Sequence, residues 1–253
     1  MLTRVVKLGG NELDRPGWLE ACALALATAP APTVVVHGGG QAVSALSRRL
    51  ELPVVKRDGR RISTKGVAEV VEMVLGGPIN RQVVEALRAA GIDALGLSGV
   101  DGGLLTAEPL PGDLGHVGRI TTVRTELLEQ LLRAGFTPVV APMAPGPDGG
   151  VPLNVNADDA AAAIAGALHA AELLQISDVP GIAIDGATQP AVSWSEIDGL
   201  IDRGFITDGM VVKVRAASAA LSGGAGAVRI GGLDMLADPA AGTRILQAQP
   251  QPA

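Results

Sequence analysis

The chain has 253 residues, 47% of them hydrophobic and 18% charged, enough to bury a full core as one large or two small domains. A net charge of −6, an aromatic content of 2% and the lack of tyrosine argue against a nucleic-acid surface, and the single Cys22 excludes an internal disulfide framework or a thiolate metal cluster. No apolar run reaches membrane-spanning length and no cleavable leader opens the chain, so a soluble cytoplasmic protein is expected, and any bound anion must meet cations gathered locally.

Strands and helices alternate almost throughout. Arg4 to Gly10 (RVVKLGG) reads as an apolar strand running into glycines, with Lys7 near its end. Asp14 can cap a helix to about Ala27, and Pro30 with Pro32 makes the turn into the strand Thr33 to Val36. That strand is followed by His37-Gly38-Gly39-Gly40 and by helical spacing from Gln41 to about Leu50. A strand, a glycine turn and a helix start make either a plain tight βα turn or an anion site, the latter because bare N–H groups at a helix N-terminus point at the ligand and the helix dipole favours negative charge. Two such loops on neighbouring parallel strands would face one cleft, with Lys7 pointing into it.

Val54 to Ser63 (VVKRDGRRIS) predicts a β-hairpin about Asp58-Gly59, its arms carrying Lys56, Arg57, Arg60 and Arg61. Such a hairpin is either a solvated basic ribbon or a lid offering a guanidinium to a carboxylate or phosphate. Thr64 caps the next helix, and Pro78 with Gly91 brackets another. Ile92 to Leu97 is a strand ending in Ser98-Gly99-Val100-Asp101-Gly102-Gly103, Leu104 to Val123 contains a hairpin, Thr125 caps a helix stopping at Gly135, and Phe136 to Ala141 is again a strand.

After a proline- and glycine-rich loop, Asn154-Val155-Asn156-Ala157-Asp158 enters an alanine-rich helix running to about Ala171. Three short polar groups at one helix mouth exceed what a cap requires. The strand Leu173 to Ser177 ends in Asp178-Val179-Pro180-Gly181, Ser193 to Glu196 is a capping box, and Thr207-Asp208-Gly209-Met210 precedes a helix carrying Lys213. Ala225 to Ile230 is expected to be the last strand, and the tail Gln247 to Ala253 to be disordered.

No Gly-Lys pair and no Gly-x-Gly-x-x-Gly occurs, which excludes a Walker A loop and the dinucleotide fingerprint. His37-Gly38-Gly39-Gly40 also matches the oxyanion motif of lipases, but neither Ser98 nor Ser222 sits in a complete serine-acid-histidine order, and His37, His116 and His169 are too scattered for a metal site.

Lys7-Leu8-Gly9-Gly10, Val36 to Gly40, Asn154 to Asp158, Ser177 to Gly181, and Thr207 to Met210 with Lys213 follow the order and spacing of the amino acid kinase family, which the chain resembles from its first strand to Gly242-Thr243-Arg244. The resemblance implies an α/β fold, an open three-layer αβα sandwich on a mainly parallel sheet. It implies an amino-acid-substrate lobe over residues 1–171, an ATP-binding lobe over 172–246 and a tail over 247–253. The implied reaction is ATP-dependent phosphorylation of the side-chain carboxylate of N-acetyl-L-glutamate to an acyl phosphate in arginine synthesis, with Mg2+ carried by ATP. An acylated α-aminoadipate, free or on an acidic carrier protein, and a non-catalytic nucleotide sensor remain alternatives.

By match to the family's motifs, Lys7 and Lys213 flank the transferring phosphoryl group and Asp158 orients both. Gly39, Gly40, Arg61 and Asn154 hold the acylated substrate, and Gly9, Gly10, Asp178, Val179, Gly181, Phe205, Ile206, Thr207, Gly209 and Met210 line the nucleotide site. The chain departs from the family at Val100, where a lysine is frequent, and at Asp208, where a second glycine is common. The first strand starts at about residue 3 and the arginine-site pattern is missing near Ile230 to Asp234, so an arginine-insensitive homodimer acting on small molecules is expected.

Overall fold

The computed structural model describes residues 2–28 and 31–247. In chain order its main elements are β1 (Arg4–Leu8), α1 (Trp18–Thr28), β2 (Thr33–His37), α2 (Gly40–Arg49), α3 (Lys65–Val74), α4 (Asn80–Ala89), β3 (Ala94–Ser98) and α5 (Thr125–Arg133). They continue as β4 (Thr137–Ala141), α6 (Ala157–Ala167), β5 (Glu172–Ile176), β6 (Ala191–Ser193), α7 (Trp194–Asp202), α8 (Asp208–Ser222), β7 (Val228–Gly231) and β8 (Thr243–Leu246). The eight strands form one sheet in the order β6-β8-β7-β5-β1-β2-β4-β3. All pairings are parallel except β7 with β8, so β8 and its parallel neighbour β6 run against the other six.

Side chains on successive strand residues point to opposite faces, and the core divides accordingly. Val6, Leu8 and Val35 pack with α1 to α4, whereas Val5, Val34 and Val36 pack with α5 to α8. Three layers result, and parity puts Lys7 on the same face as Val5, towards α6 and α8. β1 lies between β2 and β5, the point where the strand order reverses, so the cleft opens at the carboxyl ends of these three strands.

Several elements differ from expectation. The first helix begins at Trp18, not behind Asp14, because Pro16 and Gly17, the latter at φ +75°, hold the preceding residues in turns. Pro78 opens no fresh helix. α3 runs into a π-turn over Leu75–Ile79, bent at Gly77, and emerges as α4. Thr125 is the first residue of α5 and Arg124 takes the cap position. The alanine helix stops at Ala167, where His169 turns left-handed at φ +45°.

Ala225 to Ile230 is not the last strand: β7 begins at Val228 and β8 follows. The long return is fastened by Arg229, which pairs with Glu172 and donates to the carbonyls of Met235, Asp238 and Ala241. The turn at Pro30 and the tail from 248 lie outside the described residues.

The end of β2 is held by a buried polar contact. The His37 ring is fully buried, its Nδ1 2.8 Å from the Gly38 carbonyl, while Asn80 Nδ2 donates to Nε2 at 3.1 Å and to the Val139 carbonyl at 2.9 Å. The ring is therefore the neutral tautomer protonated at Nδ1, and burial lowers its pKa from 6.5 to about 4, against the opposing hydrogen bond to Gly38. Between those values the unfolded chain binds a proton that the folded one does not, so stability falls as pH drops below about 6.5. Urea unfolding at pH 7 and pH 5 should show the wild type losing about 2 kcal/mol more than a His37→Gln variant. Equal losses would remove His37 from the pH dependence.

Candidate active site

β1 delivers Lys7 to the face shared by α6 and α8. One oxygen, Asp158 Oδ1, takes both Lys7 Nζ at 3.0 Å and Lys213 Nζ at 3.2 Å. Asp158 is free for this because Asn156 caps α6, its side chain accepting from the Asp158 N–H at 2.8 Å and the Asp159 N–H at 3.3 Å. Of the three polar groups at the helix mouth, one is therefore the cap. α6 and α8 can approach because their contact is made of small residues: a Cβ at Gly166 would stand 3.1 Å from the Gly223 Cα.

Burial lowers the Lys7 pKa to about 8, Asp158 opposing and Lys213 adding to the effect. For Asp158, burial works against ionisation, but Lys7 and then Lys213 outweigh it and hold the carboxyl below its ordinary value. Burial also works against the charge of Lys213, yet Asp158 outweighs it and the pKa is raised. The cluster is thus two cations on one anion, carrying net positive charge into the cleft.

The two glycine loops touch backbone to backbone. Gly38 N donates to the Leu8 carbonyl at 3.0 Å, and a Cβ at Gly10 would fall 2.5 Å from Gly39 N. α2 starts behind Gly39, at φ +148°, with no side-chain cap, so its first N–H groups are available to an anion. Arg61, 7% exposed, donates through Nη2 to the Gly40 carbonyl and to Ser44 Oγ, both at 2.7 Å, and its buried Nη1 has no partner. Ser63 joins the pieces: its Oγ donates to the Arg61 carbonyl and accepts from Asn154 Nδ2 at 3.1 Å. Gly39, Gly40, Arg61 and Asn154 thus form one connected patch beside the lysines.

Of the expected nucleotide residues, Gly9 and Gly10 follow β1, Asp178, Val179 and Gly181 follow β5, Phe205 to Thr207 lead into α8, and Gly209 and Met210 lie in its first turn. Asp178 accepts from Ser177 Oγ and lies 3.7 Å from Arg15. Gly181 is required by packing, since a Cβ would stand 2.5 Å from Thr243 Oγ1. Phe205 stacks under the Arg203 guanidinium at 5.4 Å, and Ile206 is a core residue, leaving only its backbone to face a ligand. Asp208 sits at φ +48°, a left-handed position glycine takes easily and aspartate tolerates. The other departure is a structural turn, in which Asp101 accepts from the Ser98 N–H and Oγ.

His37, with both ring nitrogens engaged and buried, offers nothing to hydrolytic chemistry. A cavity of about 540 Å3 at the opposite end of the sheet has one charged lining residue, Asp93, which pairs with Arg88. No chemistry gathers there.

Two features were not read from the sequence. Glu12, 3% exposed, lies over Gly9, and its Oε2 has no hydrogen-bond partner. The basic hairpin is also anchored across the cleft. Arg60 Nη2 pairs with Asp159 Oδ2 at 2.7 Å, and Gly59, at φ +74°, leaves no room for a Cβ beside Val212 Cγ2, 2.6 Å away.

The sequence profile of the amino acid kinase family matches residues 3–232. An acetylglutamate kinase of Chloroflexus aurantiacus is 45% identical over 248 residues, 97% of this chain and 97% of that protein. An acetylglutamate kinase of Geobacillus kaustophilus is 45% identical over 223 residues, 87% of this chain and 86% of that one. The crystal structure of smu.665 from Streptococcus mutans UA159 superposes with a TM-score of 0.82 at 28% identity, covering 96% of this chain and 98% of that chain.

The hairpin's attachment can be tested without any ligand. Arg60→Gln removes the charged anchor, so amide hydrogen exchange over residues 56–61 should quicken several-fold while the central sheet is unchanged. Unaltered exchange would mean that the ion pair does not hold the hairpin.

Proposed function

The chain belongs to the amino acid kinase family, and from that premise we propose that it transfers the γ-phosphoryl group of ATP to the side-chain carboxylate of N-acetyl-L-glutamate. The observation that carries the reading is the pair of lysines held on one oxygen of Asp158 at the mouth of two glycine loops. A carboxylate oxygen attacks the γ-phosphorus, the bond from phosphorus to the β,γ-bridging oxygen breaks, and ADP leaves with that electron pair. No proton moves, because the nucleophile is already ionised at neutral pH.

The difficulty is charge. Two unit anions 4 Å apart repel by roughly 4 kcal/mol at an effective dielectric near 20. Lys7 and Lys213 meet the transferring phosphoryl group from the acceptor and donor sides, and Asp158 fixes the distance between them. Arg61, with Nη1 spare, receives the substrate's α-carboxylate, Asn154 its acetyl group, and Gly39 and Gly40 present N–H donors. Gly9, Gly10, the turn Asp178, Val179 and Gly181, and the stretch Phe205, Ile206, Thr207, Gly209 and Met210 line the nucleotide. On this reading residues 1–171 bind the acceptor and 172–246 the nucleotide.

Kinases of this type take ATP with magnesium, and the residues fit such an ion. No group of three or more His, Cys, Asp or Glu among the described residues could hold it alone, so it would arrive on the phosphates, and the orphaned Glu12 Oε2 is a hard oxygen donor beside them. When bound, the ion supplies positive charge to the phosphate oxygens. No described helix is long and apolar enough to cross a membrane. We place the enzyme in the cytoplasm as a homodimer. The edge strand β3, with Leu95 38% exposed, offers a second copy an unpaired rim.

Acyl phosphate trapped by hydroxylamine should form from MgATP and N-acetylglutamate at least tenfold faster, in kcat/KM, than from N-acetyl-α-aminoadipate. The reverse preference would move the enzyme to the longer substrate, and no product from either would refute the kinase reading. Lys213→Ala should lower kcat by two orders of magnitude or more; near wild-type turnover would dismiss the phosphoryl clamp. Sedimentation should give a dimer, and a monomer or hexamer would overturn that assignment.

A further inference from the structure

Glu12 lies on the loop that follows Lys7 and takes no part in the phosphoryl transfer step itself. It is 3% exposed, and a Cβ built on Gly9 would fall 1.8 Å from its Oε2, so the carboxylate lies directly on the glycine loop. That oxygen has no hydrogen-bond partner, and among the described residues no cation lies within ion-pair distance of Glu12. A buried carboxylate left so is costly unless something positive comes to it.

We propose, resting on the kinase reading above, that Glu12 is the protein's own contact to the magnesium ion that ATP carries. Its position is otherwise perverse: an anion beside the loop that receives a polyphosphate repels the ligand unless a cation stands between them. Magnesium is held in such sites by one or two carboxylates together with substrate phosphates, and it keeps several waters. Of the acids at the helix mouth, Asp158 carries both lysines on its Oδ1 and Asp159 pairs with Arg60. Glu12 is left, with Oε2 spare.

The test is calorimetric binding of ATP with and without Mg2+ to the wild type and to Glu12→Gln, which keeps the shape and removes the charge. Wild type should bind MgATP more tightly than free ATP. In Glu12→Gln that gain should shrink tenfold or more, while free ATP binds as well as or better than to wild type. A gain equal to wild type would overturn the proposal. Weakening by the same factor with and without the ion would also overturn it, leaving Glu12 as a counter-ion that positions Lys213. Should Glu12→Gln fail to fold, Glu12→Asp keeps the charge with a shorter reach and should show a partial loss of the gain; a full gain there would count against metal contact. Wild type that binds ATP in neither condition would refute the kinase reading itself.

Discussion

Two ammonium groups sharing one carboxylate oxygen, almost out of solvent, is the constraint the rest of the structure serves. A lone buried ion costs several kcal/mol, and a buried pair recovers that only when its geometry is good. Here the geometry is imposed from three directions. Strand parity turns Lys7 to one face of β1, the Asn156 cap releases Asp158 from helix duty, and the alanine and glycine contact of α6 with α8 brings Lys213 within reach. A larger residue at Gly166 would part the helices and with them the charges. The apparently bland alanine helix is thus what sets the distance between two cations.

That arrangement also explains how an acidic protein receives acidic ligands. The chain carries −6 overall, yet Lys7, Lys213, Arg61 and the free amides of α2 all converge on one end of three adjacent strands. His37, which opens the second glycine loop, is held neutral and used as a brace for it. The site works by placing charge rather than by moving protons, which suits a nucleophile that needs no base.

The alternation of strands and helices, the glycine loops and the hairpin about Asp58-Gly59 were legible because each is written in a few consecutive residues. The grouping of Lys7, Asp158 and Lys213 was legible only through the resemblance, since no local pattern links residues so far apart. What stayed hidden is long-range. β8 depends on Arg229 reaching the carbonyls of residues 235, 238 and 241, and Glu12 differs from an ordinary loop acid only in what surrounds it. Asp14 and Thr125 failed as caps for a different reason. A cap residue is a local preference, and the turn at Pro16-Gly17 and the seat at Arg124 overrode it.

The position of β1 has a consequence for how the protein is made. One edge of this strand pairs with β2, which follows it closely, but the other pairs with β5, Lys7 lying opposite Gln175. A chain growing from its amino end at ~5–20 residues per second must therefore carry β1 half-paired for on the order of ten seconds. During that interval β1, buried on both faces in the finished sheet, is an open rim, in the very place where pairing with a neighbouring nascent chain is easiest. The central strand of the finished sheet is, for a time, its edge.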